Sequence, residues 1–310
     1  MDNLLSLSAS PHIHSGRSTS AIMRDVLIAL VPTTVAGTVI FGLRALLVVA
    51  VCVISCVLLE ALYNIIVKKD QTVGDLSAAV TGLLLALNLP ANVPIWQCVV
   101  GCVFAIVLVK CLFGGIGRNL VNPAITARVF MLVAFSNLAK AAFPANVDAA
   151  SGATPLVQID QGSSPSLLDL FLGRHGGAIG EVCAAALLVG FVYLLIRRVI
   201  TWHIPVAYIG TVFLLSFALE GNATTALALI LSGGLFIGAI FMATDYVTSP
   251  PTPLGKLVFG LGAGLLTFLI RYFGVYPEGV SFAILFMNIL TPYIDSWTRH
   301  KVFGVGGKKA

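Results

Sequence analysis

Charge is what this sequence has least of. Only 10% of its 310 residues are Asp, Glu, Lys or Arg, against about 25% in an ordinary soluble domain. So few charges cannot clothe a folded chain of this length in water. With 58% hydrophobic residues and a mean hydropathy of +1.00, the solvent for most of its surface must be lipid. Basic runs interleaved with aromatics are also missing, so a nucleic-acid partner finds no support despite the net charge of +5. No Cys-x-x-Cys occurs among the six cysteines. The pairs Cys52/Cys56 and Cys98/Cys102 each put two thiols on one helix face, but within apolar segments Cys serves as a small apolar residue. We therefore expect no iron–sulfur cluster in this chain, and no metal site, since His12 and His14 lack a ligand context. We expect no secretory signal either. The first twenty residues are polar, and no small-residue cleavage site follows a short apolar core.

What the sequence does have is long apolar runs. A window of about 20 residues finds about ten: 22–42, 43–67, 75–90, 94–113, 121–140, 178–196, 203–220, 223–243, 254–272 and 279–296. Lipid admits closed helices or a barrel, and these runs lack the alternation of barrel strands. The expected fold is an all-α polytopic bundle. Of the eighteen Lys and Arg, placing the N-terminus in the cytoplasm leaves only Arg44, Lys140, Arg174 and Arg271 outside, with Arg128 inside a span. The other thirteen fall inside, which predicts a multi-pass inner-membrane protein with both termini cytoplasmic.

One long polar loop, 141–177, interrupts this pattern after five spans and so faces outward. It divides the chain into a cytoplasmic N-terminal segment (1–21), a first five-helix half (22–140), the loop, a second five-helix half (178–296) and a cytoplasmic tail (297–310). An odd number of spans per half implies inverted topology for any repeat. The third segment of each half is irregular: one runs into Leu89-Pro90-Ala91-Asn92-Val93-Pro94, the other passes Thr244-Asp245 into Ser249-Pro250-Pro251-Thr252-Pro253. Broken segments in matching positions often mark a binding site.

The loop carries Asp148-Ala149-Ala150-Ser151-Gly152-Ala153-Thr154. This run resembles the flavinylation signature Asp-x-x-Ser/Thr-Gly-Ala-Thr, and chance would give it at about one in 10⁵–10⁶ starting points. Gly152 and Ala153 leave an approach to the Thr154 hydroxyl open. Further stretches extend the likeness along the chain: Ser10–His14, Asp75–Gly82, Gly114–Ala124 and Met242–Pro250. Together they resemble the RnfD component of the Rnf electron-transport complex, a ferredoxin:NAD⁺ oxidoreductase, and its homologue in the sodium-pumping NADH:quinone reductase. The short segment ahead of the first span favours the former.

The resemblance implies FMN joined to Thr154 through a phosphoester, attached outside the cytoplasm by a flavin transferase. Asp148, Ser151, Gly152 and Ala153 then form the recognition motif. It further implies an electron relay that is not catalytic alone, in a translocase moving Na⁺ or H⁺. Its partners would be other Rnf subunits, including a second flavinylated subunit and iron–sulfur subunits. Asn119 and Asn122, at i, i+3, are where the resemblance places a non-covalent riboflavin. The alternative for this pair is a helix cap with interhelical hydrogen bonds, which Pro123 favours. Ionisable residues within spans default to functional hypotheses. Glu60, Arg128, Glu181 and Asp245 qualify, with Asp25 and Asp75 near the inner ends. Asp75 and Asp245 beside the broken segments are candidates for an ion path, or else simple caps and ion pairs. The rival functions are the quinone-reductase component, a solute channel and a scaffold.

Overall fold

The computed structural model describes residues 18–135, 138, 142–143, 154–160, 165–274 and 279–299. The motif residues Asp148, Ser151, Gly152 and Ala153 lie outside the described residues. Among those described the chain is all-helical, with one isolated bridge between Ala142 and Gly177. The helices are α1 (Thr19–Phe41), α2 (Leu43–Val67), α3 (Ser77–Leu87), α4 (Ile95–Cys111), α5 (Pro123–Ala134), α6 (Pro155–Asp160) and α7 (Leu167–Leu172). They continue with α8 (Ala184–Ile196), α9 (His203–Glu220), α10 (Ala223–Leu231), α11 (Leu235–Met242), α12 (Pro253–Phe273) and α13 (Val280–Thr298).

Local sequence sets the boundaries. Ser18 caps α1 by accepting from the Ala21 N–H at 3.2 Å. Thr252 caps α12 by accepting from Gly255 N at 3.0 Å, with Pro253 in the first turn, where its missing N–H costs nothing. Gly42, at φ 77°, ends α1 and turns the chain directly into α2.

All ten apolar segments contain helix, but they differ in length. Helices α1, α2, α9 and α12 are long and apolar enough to cross a membrane, and the bent pair α10–α11 makes a fifth such span. Three others, α3, α5 and α8, have only 11, 12 and 13 residues, too short to span lipid alone at about 1.5 Å per residue. The ends of these segments leave the helix because protein, not lipid, satisfies their backbone. Ile179 N donates to Leu89 O at 3.0 Å and Gly180 N to Leu87 O at 2.7 Å. The Arg44 guanidinium donates to the Ala91 and Val93 carbonyls at 3.2 and 3.3 Å. Irregular backbone at membrane depth is tolerated only under such cover.

Glu181, read as part of a span, sits in the turn before α8. Asp25, by contrast, is buried in α1 and grips Arg197 of the second half, with N···O distances of 3.2–3.3 Å.

Within the first half α2 packs on α3 and α4, and within the second α9 packs on α12 and α10. The halves meet where α1 lies on α8 and α5 on α13. Gly82 lets α3 approach α2 closely, since a Cβ there would sit 2.7 Å from the Cys52 carbonyl oxygen. Between α10 and α11 the chain bends by 65°. Gly233 and Gly234 make that bend, both left-handed at φ 69° and 70°. The Arg271 guanidinium closes it, donating to the carbonyls of Leu229, Ser232 and Gly233 at 2.7, 2.9 and 3.2 Å.

Candidate functional site

The loops 68–76, 112–122, 197–202 and 243–252 gather at one end of the bundle, which is rich in Lys and Arg and is called here the basic end. Between the two halves at this end lies a cavity of about 420 Å³. The first half supplies Ile22, Met23 and Val26 of α1, Ser77, Val80, Thr81 and Leu84 of α3, Lys110 of α4, and Gly117, Asn119 and Asn122 ahead of α5. The second supplies Leu194, Val199 and Ile200, and from the end of the broken span and the loop after it Phe241 and Thr244 to Val247. Two stretches bordering it, Phe104–Cys111 and Gly238–Met242, are wound as π-helix, a widening of the turn frequent at functional sites.

The structure brings together Asn119, Asn122 and Asp245, three residues singled out from sequence. The two asparagines do not share a helix face, because α5 begins only at Pro123. Asn122 is its N-cap, accepting from Ala124 N at 3.0 Å and Ile125 N at 3.4 Å. Its amide donates across the halves to Met242 O at 3.3 Å. Asn288 of α13, with its amide oriented to satisfy both neighbours, accepts from Asn122 N at 3.1 Å and donates to Thr248 O at 3.2 Å. Asn122 thus ties α5 to α11 and α13 through both its side chain and its backbone. Asn119 differs. It stands in the turn before α5, and its Oδ1 is buried with no hydrogen-bond partner among the described residues.

Asp245 accepts from Thr248 Oγ1 at 3.1 Å, and its own carbonyl accepts from Ser249 N at 3.1 Å and Ser249 Oγ at 2.6 Å. Asp75 is not on the cavity wall. It caps α3, accepting from Ser77 N at 2.8 Å and Ser77 Oγ at 2.5 Å, and Ser77 is on the wall.

A buried ion pair stands beside these residues. Lys110 Nζ lies 2.8 Å from Glu60 Oε1 and donates at 2.6 Å to Ser77 Oγ. Thr72 donates to the same Glu60 oxygen at 2.8 Å, and Asn64 donates to Thr72 at 3.0 Å. Sequence reasoning counted Lys110 only as one of the inside charges. The signal was available, since Lys110 falls within an apolar segment as Glu60 does, and two opposite charges in spans invite pairing.

Thr154 belongs to the other end of the molecule. It precedes α6, where its hydroxyl accepts from Val157 N at 3.5 Å and its carbonyl from Gln158 N at 2.9 Å. Helix α6 packs on α10, with Leu156 against the Gly233 bend. Among the described residues no group of three or more His, Cys, Asp or Glu is placed to hold a metal ion. The five cysteines of the first half are buried and free.

Fold and site define a class: a multi-pass helical membrane protein of two halves, with a ligand-sized cavity between them at the basic end. The chain belongs to the NQR2, RnfD, RnfE family, whose model matches residues 6–304. It is 46% identical over 307 residues to the D component of the Na⁺-translocating ferredoxin:NAD⁺ oxidoreductase complex of Acetobacterium woodii, covering 97% of this chain and 96% of that one. It is 40% identical over 323 residues to the D component of the proton-translocating ferredoxin:NAD⁺ oxidoreductase complex of Clostridium ljungdahlii, covering 97% of each chain. The D component of an ion-translocating oxidoreductase complex of Escherichia coli is 35% identical over 345 residues, covering 96% of this chain and 98% of that one.

Proposed function

We propose that this chain is a membrane component of an ion-translocating ferredoxin:NAD⁺ oxidoreductase complex. In this reading it relays electrons between two flavins, one near each end of the bundle. FMN is held through a phosphoester at Thr154, and a non-covalent flavin such as riboflavin occupies the cavity between the halves. The basic end faces the cytoplasm, as the excess of Lys and Arg there argues, and Thr154 faces outward. The other membrane and peripheral subunits supply the nucleotide and iron–sulfur chemistry.

One observation carries the cavity half of this reading: the buried Asn119 Oδ1 lacks a donor on a cavity wall among the described residues. A buried acceptor without a partner costs about 1–3 kcal/mol, and a flavin ring N–H would satisfy it. The volume lies within the range of ligand pockets, about 300–1,000 Å³, and the lining is mostly apolar, with Ser77, Lys110, Asn119, Asn122 and Asp245 among its polar groups. When bound there, the ring supplies the acceptance and release of electrons. Asn119 fixes its polar edge, Asn122 holds the turn that presents Asn119, and Ile22, Met23, Val80, Leu84 and Phe241 exclude water. At the other end, Thr154 is half-buried, and among the described residues its hydroxyl accepts a single long bond, so little has to be broken there for a transferase to reach it.

The test uses the purified complex. Intact mass should exceed the chain's own by one FMN less water, and Thr154→Ala should abolish flavin fluorescence on denaturing gels while acid-extractable flavin remains. Fluorescence persisting in the denatured variant would sink the attachment.

A further inference from the structure

We infer that Lys110 is the charge-compensating group of this cavity, the residue that sets how readily a flavin bound there is reduced. The inference rests on the inner-flavin reading above and deepens it. Lys110 is 2% exposed, yet it lies on the cavity wall. An ammonium has three N–H donors. Among the described residues Glu60 Oε1 takes one at 2.8 Å and Ser77 Oγ another at 2.6 Å, which leaves the third for the cavity. Ser77 and Glu60 are themselves anchored. Ser77 donates to Asp75, and Glu60 accepts from Thr72, which in turn is held by Asn64.

A cation fixed this way cannot swing out to water. Glu60 sits behind it, off the cavity wall, with its Oε2 buried and without a partner among the described residues. The pair therefore presents its positive end to whatever fills the cavity. Reduction places negative charge on the polar edge of a flavin ring, and a preorganised cation in a water-poor site stabilises that charge without having to reorganise. The pair as a whole adds no net charge, so its effect is directional: Lys110 favours the reduced ring and Glu60 opposes it. A pair serving only to lock α2 to α4 has no such sign.

The experiment uses the full-length chain in detergent, carrying Thr154→Val so that the extractable pool is its only flavin. Flavin stoichiometry and the midpoint potential are measured for four versions: Lys110 intact, Lys110→Arg, Glu60→Gln, and the double variant Glu60→Gln/Lys110→Met. The double variant leaves no lone buried charge, so it folds even where a single Lys110→Met would not. Expected is a fall of at least tenfold in the preference for the reduced ring in the double variant, about 30 mV for a two-electron couple. Lys110→Arg should stay near the parent, and Glu60→Gln should shift the opposite way. Equal potentials with flavin retained, or shifts of one sign for Glu60→Gln and the double variant, overturn the role of Lys110. A parent chain with no extractable flavin overturns the inner-flavin reading itself.

Discussion

Lys110 Nζ lies 2.8 Å from Glu60 Oε1, with both side chains about 2–3% exposed, so each charge is buried against the other. The two residues sit on α4 and α2, and the pair joins these helices near the basic end. Removing one partner of such a pair strands a charge and costs about 3–5 kcal/mol, whereas replacing both with matched uncharged groups costs far less. Lys110→Met should therefore lower the apparent melting temperature of the purified complex more than Glu60→Gln/Lys110→Met does. Equal losses from the single and double variants would show that the charges are not coupled.

Orientation gives the second prediction. Thirteen inside charges against four predict that a reporter fused near Ala150 is extracytoplasmic and one fused at Ala310 cytoplasmic. A cytoplasmic signal at Ala150 would remove the transferase's access to Thr154.

The third concerns the bend between α10 and α11. An alanine in a left-handed conformation costs about 1–2 kcal/mol. At Gly233 a Cβ would also run into Leu156, whereas at Gly234 the closest atom it would meet is Glu181 Oε2, at 3.1 Å. Gly233→Ala should therefore destabilise more than Gly234→Ala, in melting of the detergent-solubilised chain. The reverse order would mean that α6 does not brace this bend.

What could be read from sequence follows from how local each signal is. The apolar segments and the basic bias depend on composition over some twenty residues, and each of the ten segments contains helix. The break after α3 was legible from Leu89–Pro94, but how short α5 and α8 are was not. Nor was the cover over that break, since Arg44 and Ile179 arrive from elsewhere to satisfy its carbonyls. Asn122 was readable as a cap because Pro123 follows it. That Asn119 leaves the helix face and keeps a buried acceptor without a partner depends on the glycine turn at 114–117. The Glu60–Lys110 pair joins residues fifty positions apart, a separation no periodicity reports. The pairing of α1 with α8 and of α5 with α13 joins segments at matching positions of the two halves.

Acid sensitivity gives the fourth prediction. His175 lies between α7 and α8, outside the spans, with Nδ1 3.0 Å from Gly176 O and Nε2 buried without a partner among the described residues. Burial pushes its pKa below the ordinary 6.5. The folded chain thus keeps His175 neutral where the unfolded chain protonates it, so stability is lost as pH falls below about 6.5 toward the lowered value. His175→Gln should flatten the melting temperature between pH 7 and 5. An unchanged slope would assign the sensitivity to other groups.

The asparagines before α5 give the last prediction, because the structure separates what the sequence left joined. Asn122 caps α5 through two N–H groups and reaches α11 through Met242 O. Its loss strands several buried groups at once, about 1–3 kcal/mol for each, so Asn122→Leu should lower stability and flavin retention together. Asn119 makes no such ties through its Oδ1. In a flavin-stripped chain Asn119→Leu removes a buried acceptor that no described residue satisfies, so the melting temperature should hold or rise, by no more than that acceptor's cost of about 1–3 kcal/mol. The substitution should nonetheless weaken the non-covalent flavin roughly tenfold to a hundredfold, the worth of one buried hydrogen bond. Fluorescence titration of riboflavin into the stripped chain measures the second quantity, and melting of the same sample the first. If Asn119→Leu binds riboflavin as tightly as the parent, the unpartnered oxygen is not where the ring is held, and the cavity would need another anchor among Ser77, Thr81 and Asp245.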